Sequence, residues 1–172
     1  MSAAKRVAIL GAESSGKSTL AHALATHYNT LWVPEYLREF VDSHARVPEE
    51  SDQYQIARTQ MAREDAAAPK ASRFLFCDTT PLMTALYSRW YWGRVDAQLA
   101  LLERRHDYAF TLVTAPDSPW EADGLQRASE AVRLAIHDLL LQTLHERDIP
   151  YLLLSGSLHQ RMLQAGRLIN PA

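Results

Sequence analysis

Short apolar runs and longer segments of helical period take turns along this chain. Val7-Ala8-Ile9-Leu10 contains no polar residue and stops at Gly11, which predicts a buried strand. Lys17 to Tyr28 follows, with Leu20, Ala23, Leu24 and His27 at helical spacing, so strand, loop and helix come in order. Leu31-Trp32-Val33 predicts a second strand, halted by Pro34, and helical patterns cover Tyr36 to His44 and Ser51 to Ala68. Phe74 to Cys77 predicts a third buried strand that ends in Asp78. Helices are expected over Thr80 to Trp92 and Ala97 to Arg105, and a fourth strand over Tyr108 to Val113. Residues 115–127 contain prolines, aspartates and a glycine and read as a loop. From Ser129 to Arg147, Val132, Ala135, Ile136, Leu139, Leu140, Thr143 and Leu144 fall on one stripe of an amphipathic helix, with Ser129 as its cap. Tyr151 to Leu154 is the fifth strand and Leu158 to Leu168 the closing helix.

Strands that are apolar throughout and separated by helices belong in a parallel sheet covered on both faces. The expected fold is α/β and three-layered, a five-stranded parallel sheet with helices on both faces. Ligands of such sheets bind beyond the carboxyl ends of the strands, where this chain puts Gly11, Glu35, Asp78 and Ser155.

Bulk properties narrow the partners. A chain of 172 residues suggests a single domain, 1–172, with room for a real core. A net charge of -2 leaves no basic footprint for nucleic acid, and Arg104-Arg105-His106 is too short to make one. No apolar run reaches the roughly 20 residues that span a bilayer, and Met1 to Arg6 has no apolar segment of a signal peptide. The single cysteine, Cys77, fits a reducing, cytoplasmic setting. The histidines are scattered without metal-ligand spacing, and oligomeric state leaves no signature.

Between the first strand and the first helix, Gly11-Ala12-Glu13-Ser14-Ser15-Gly16-Lys17-Ser18 satisfies the Walker A pattern in its required context. Small residues let successive backbone N–H groups converge on a β-phosphate, and the helix N-terminus adds its positive end. Lys17 is expected at the β- and γ-phosphates and the Ser18 hydroxyl at Mg²⁺, with Thr19 completing the nucleotide-binding set. ATP and Mg²⁺ are therefore the expected cofactors. No N-K-x-D motif marks a guanine reader. A motor or AAA-type ATPase is expected to need more chain and an acidic pair after its Walker B strand, whereas Asp78 is followed by Thr79-Thr80. The pattern points to a P-loop small-molecule kinase.

In such a kinase the acceptor hydroxyl lies in line with the γ-phosphate and is held or deprotonated by a carboxylate. Glu35 and Asp78 are the two candidates; a solvated Glu at a helix start and an Asp N-cap are their plainer readings. Asp78 also suits a Mg²⁺-water ligand. Ala57, Gln60, Met61 and Glu64 share one helix face, so either Gln60 and Glu64 border a wet pocket or the face is simply exposed. Tyr36, Trp90, Tyr91, Trp92 and Trp120 are candidates for stacking on a flat ring, although most aromatics serve as packing. The 115–127 loop occupies the place of a mobile lid, from which Arg127 would offset charge developing in transfer, unless it is simply a surface residue before the next helix. Glu13 is expected to turn away from the phosphates toward the acceptor, bonding a hydroxyl or pairing with Arg38; its plainer reading is a Glu that braces the loop against neighbouring backbone.

Together these segments resemble the ribosylnicotinamide kinase domain of bacterial NAD-salvage proteins. The resemblance rests on Gly11 to Ser18 with its Glu-Ser-Ser centre, Pro34-Glu-Tyr-Leu-Arg38, Cys77-Asp-Thr-Thr80 and Pro119-Trp-Glu-Ala-Asp-Gly-Leu-Gln-Arg127. It implies transfer of the ATP γ-phosphate to the 5′-hydroxyl of nicotinamide riboside. By the same resemblance Glu35 and Asp78 serve the ribose hydroxyls and the base role, and Asp123 and Arg127 belong to the lid. An aromatic often precedes the Glu of the second segment in that family; here the position is Pro34, which leaves Tyr36 or a tryptophan to meet the ring, or a different acceptor.

Overall fold

A computed structural model describes residues 2–120 and 129–171 of the chain. Five strands, β1 (Lys5–Leu10), β2 (Leu31–Val33), β3 (Phe74–Asp78), β4 (Phe110–Thr114) and β5 (Leu152–Leu154), form one parallel sheet in the order β2-β3-β1-β4-β5. Seven helices occur among the described residues: α1 (Lys17–His27), α2 (Tyr36–His44), α3 (Gln53–Ala67), α4 (Pro81–Trp92), α5 (Ala97–Arg105), α6 (Glu130–Glu146) and α7 (Leu158–Ile169). β1 lies in the middle of the sheet, paired with β3 through Ala8↔Cys77 and with β4 through Ile9↔Leu112. This explains why its four apolar residues carry no alternation: both faces of β1 are covered.

Alternate residues of the strands feed two cores. Val7, Ile9, Phe76 and Leu112 pack with Leu20 and Leu24 of α1 and Ala165 and Ile169 of α7 on one face. Ala8, Leu10 and Val113 pack with Leu82, Met83 and Leu86 of α4 and Ile136, Leu140 and Leu144 of α6 on the other. Local sequence sets the helix ends. Ser129 Oγ accepts the Val132 N–H as the expected cap, Ser157 and Gln160 form a capping box, and Gly93 closes α4 at φ +70°.

Two stripes differ from the periodicity. In α1, Ala21 and Ala25 are buried while His27 is exposed, because the helix faces both the sheet and α7. In α6 the buried line is Arg133, Ile136, Leu140 and Leu144, displaced from Val132 and Ala135, with an arginine at its head. No helix among the described residues is long and apolar enough to cross a membrane.

Candidate functional site

β1 ends at Gly11, where a close approach leaves no room for a side chain. A Cβ there would sit 2.2 Å from Thr114 Oγ1 and 2.8 Å from Ser15 Oγ. The loop then turns twice through the left-handed region, at Ser14 (φ +53°) and at Gly16 (φ +87°), which caps α1. Successive turns of this kind aim backbone N–H groups into a common concavity suited to an anion. Ser15 Oγ donates to Ala12 O (2.6 Å) and lies 2.7 Å from Thr114 Oγ1, tying the loop to the end of β4. Lys17 Nζ donates to Ala12 O at 2.9 Å, across the loop. Ala12 itself belongs to the core, while Gly11 and residues 13–19 face a cleft of about 800 Å³.

Two arginines that the sequence reading did not single out sit behind this loop. Arg133 of α6 and Arg161 of α7 are buried and donate to the carbonyls of Ser14 and Ser15 respectively. The available signal was Arg133 itself, a charge placed three and seven residues before Ile136 and Leu140.

Across the cleft, the ends of β2 and β3 bring Glu35 and Asp78 toward Lys17. Asp78 is fully buried and its Oδ2 accepts the Ser18 hydroxyl at 2.7 Å. The cap of α4 is Thr80, so Asp78 is not spent as an N-cap. Burial raises the Asp78 carboxyl above the usual aspartate range, against the pull of Lys17 and the hydrogen bonds from Ser18 and Thr79. Glu35 occupies the N-cap position of α2 without making a side-chain cap bond, and it lines the cleft. Burial pushes its carboxyl up to about 7; Asp78 and Glu13 add to the rise, while Lys17 and Arg38 oppose it.

Gln60 explains how the two strand ends keep their places. Its amide donates to Pro34 O and Asp78 O, both at 3.2 Å, and accepts the Tyr36 N–H at 2.8 Å. The residue lines the cleft, yet its amide is committed to backbone on both sides of Glu35. Glu64, two turns of helix away from Ala57 on the same face, goes elsewhere. It is buried behind the sheet, accepts the Tyr108 hydroxyl at 2.9 Å and faces Arg6 at 3.5 Å. The predicted wet face of α3 therefore divides into a cleft-lining Gln60 and a buried Glu64 bonded to Tyr108 and Arg6.

Among the aromatic candidates, Tyr91 and Trp92 line the cleft together with Tyr87, which the sequence reading passed over. Tyr87 and Tyr91 stand one helical turn apart with ring centroids 6.3 Å apart and planes at 13°. Tyr36 instead lies beneath the Arg63 guanidinium, 4.8 Å from its ring centroid. Tyr36, Trp90 and Trp120 are not among the residues that line the cleft. Glu13 and Arg38 both line it, and the Glu13 charge raises both Tyr87 and Tyr91, so this carboxylate lies near the aromatic wall of the cleft. Asp123 and Arg127 lie outside the described residues.

The Ser18–Asp78 pair also suits a magnesium ion. Mg²⁺ takes oxygen donors, one or two of them from protein and the remainder from water and phosphates. A hydroxyl and a buried carboxylate already in contact at the mouth of the phosphate loop meet that description.

Comparisons with known proteins agree with this geometry. The Trifunctional NAD biosynthesis/regulator protein NadR of Salmonella typhimurium is 35% identical over 152 residues, and that of Escherichia coli is 34% identical. Each match takes in 86% of this chain but 37% of the relative, so the chain spans under two fifths of the length of these proteins. The resemblance to the bacterial NAD-salvage proteins thus extends beyond motifs to most of the chain. A crystal structure of NadR protein in complex with NAD and AMP-PNP superposes with a TM-score of 0.79 at 18% identity, covering 96% of this chain and 49% of that one. Thymidylate kinase from Ehrlichia chaffeensis superposes with a TM-score of 0.69 at 13% identity, covering 98% and 100%. These matches establish the expected five-stranded P-loop fold. The family model described as an AAA domain matches residues 6–161, and the chain belongs to that family.

Proposed function

We propose that this chain is an ATP-dependent phosphotransferase with an alcohol acceptor, and that the acceptor is the 5′-hydroxyl of nicotinamide riboside, giving nicotinamide mononucleotide. The observation that carries the proposal is the meeting, in one cleft, of a phosphate-gripping loop, the Ser18–Asp78 pair and a cleft-facing Glu35 held near neutral pH. The relatives named as NAD biosynthesis proteins, and a NadR crystal structure described as a complex with NR, support this choice of acceptor.

The two carboxylates divide the work. Asp78 is buried and bonded to Ser18, so it serves the metal side of the site. Glu35 lines the cleft and titrates close to physiological pH, the condition for an efficient general base toward a hydroxyl. Lys17 and the backbone N–H groups of residues 13–18 hold the β- and γ-phosphates. Ser18 and Asp78 would hold Mg²⁺, which would supply charge neutralisation at the phosphate oxygens. Glu13, Arg38 and the Tyr87–Tyr91 wall face the acceptor. The chain works as one kinase unit in the cytoplasm, and residues 115–127, with Asp123 and Arg127 among them, serve as its lid segment.

Incubation with ATP, Mg²⁺ and nicotinamide riboside should produce ADP and nicotinamide mononucleotide in equal amounts. ADP release with deoxynucleosides but not with nicotinamide riboside would transfer the reading to another nucleoside kinase. ADP release stimulated by no acceptor would leave a nucleotide-binding regulatory module.

A further inference from the structure

Ser14 is the second of the loop's special positions, and the more demanding one. A non-glycine residue in the left-handed region costs of order 1 kcal/mol or more, and it persists only where the surroundings over-determine it. Here they do. The Ser14 carbonyl accepts both the Arg133 Nη1 (3.0 Å) and the Ser118 hydroxyl (2.9 Å). The next carbonyl, Ser15 O, accepts Arg161 Nη1. Both guanidiniums continue into the segment after β4. Arg133 Nη2 donates to Ser118 O (2.7 Å), and Arg161 Nη2 donates to Ala115 O (3.0 Å) and pairs with Asp117. Arg161 Nε reaches Gly156 O at 3.1 Å, beyond β5. Arg161 also packs so close to Gly16 that a Cβ there would lie 3.2 Å from Nη1.

We infer that Arg133 and Arg161 are positioning residues for the phosphate grip: by fixing the carbonyls of Ser14 and Ser15 outward, they turn the N–H groups of the same two peptides, those of Ser15 and Gly16, inward to the β-phosphate. A peptide's carbonyl and N–H point in opposite directions, so whatever holds one aims the other. Charge-assisted bonds are the stronger kind and here they are buried, which makes the orientation stiff. The same two side chains join the loop to residues 115–118, so the root of the lid segment and the phosphate cradle form one frame. The inference rests on the phosphate-binding reading of residues 11–18 and is independent of the acceptor.

The test is calorimetric titration of the full chain with ATP and, separately, with AMP, which has no β-phosphate. Arg133→Met and Arg161→Met should each weaken ATP by about tenfold to a hundredfold, the range expected for losing hydrogen bonds from a charged group. AMP affinity should stay within a factor of about two, since its lone phosphate does not occupy the cradle. Ser118→Ala removes one donor to Ser14 O without emptying a buried site, and should weaken ATP by about threefold. Equal losses for ATP and AMP, or unchanged ATP affinity with only a lowered Tm, would overturn the inference. If the methionine variants do not fold, Ser118→Ala decides: unchanged ATP affinity there overturns it too. Failure of the unaltered protein to bind ATP would instead remove the phosphate-binding reading beneath both proposals.

Discussion

Replacing Glu35 with Gln tests the division of labour between the two carboxylates. Burial, Asp78 and Glu13 hold the Glu35 carboxyl at about 7. Its ionised fraction therefore rises from about one tenth at pH 6 to about nine tenths at pH 8, and a rate that needs the carboxylate should rise roughly tenfold over that interval. The limb formally belongs to the interacting pair of Glu35 and Asp78, so the profile of the native protein does not by itself name the residue. The substitution does. Glu35→Gln keeps the shape and removes the proton acceptor, so kcat should fall by about 10²-fold to 10⁴-fold and the pH dependence between 6 and 8 should disappear. Neighbouring charges supply an independent handle. Arg38 opposes the rise and Glu13 adds to it. Arg38→Gln should accordingly move the limb to higher pH and Glu13→Gln to lower pH. The assay is ADP release with saturating ATP, Mg²⁺ and nicotinamide riboside, measured in steps from pH 5.5 to about 8.5. A Glu35→Gln variant that retains near-normal kcat with the limb intact would refute the reasoning and pass the base role to Asp78.

Glu64 predicts a pH dependence of stability rather than of rate. Its folded-state carboxyl is raised from 4.5 to about 7, chiefly by burial. As pH climbs through that window the unfolded chain loses the proton while the folded chain keeps it, so stability falls, by of order 3 kcal/mol at about 1.4 kcal/mol per pH unit. Glu64→Gln should lose less stability than the native protein between pH 5 and pH 8 in urea unfolding; equal losses would show that Glu64 titrates normally. Gly11→Ala should destabilise the fold and abolish ATP binding, because its Cβ meets Thr114 Oγ1 at 2.2 Å, and Thr114→Ala in the same chain should recover part of the loss in Tm. Leu24→Ala, in the core between α1 and the sheet, should cost about 2–5 kcal/mol in urea unfolding, and a cost below 1 kcal/mol would contradict its burial.

Much of this molecule is dictated by short stretches of its own chain. The continuous apolar runs at Val7–Leu10 and Phe74–Cys77 require burial on both faces, and only a parallel sheet between helix layers provides it. The Walker A loop is legible for a similar reason: its N–H groups, glycines and following helix are consecutive in sequence, so spacing alone specifies the grip. Strand ends are also consecutive with strands, which is why Glu35 and Asp78 were visible as candidates.

What spacing does not contain is which side chain each residue meets. Gln60 lies 26 residues from Pro34 and 18 from Asp78 in sequence, yet its amide joins both backbones. Arg133 and Arg161 reach the loop from 119 and 146 residues away. Tyr36, adjacent to Glu35 in sequence, turns to Arg63 while Tyr87 takes a place on the cleft wall, because the helix face and not the distance along the chain sets direction. Local pattern determined the sheet, the helices and the phosphate loop. Long-range packing decided how Glu35 acquires a carboxyl near neutrality and which buried cations hold the loop in shape, since desolvation and hydrogen-bond partners exist only once distant segments have come together.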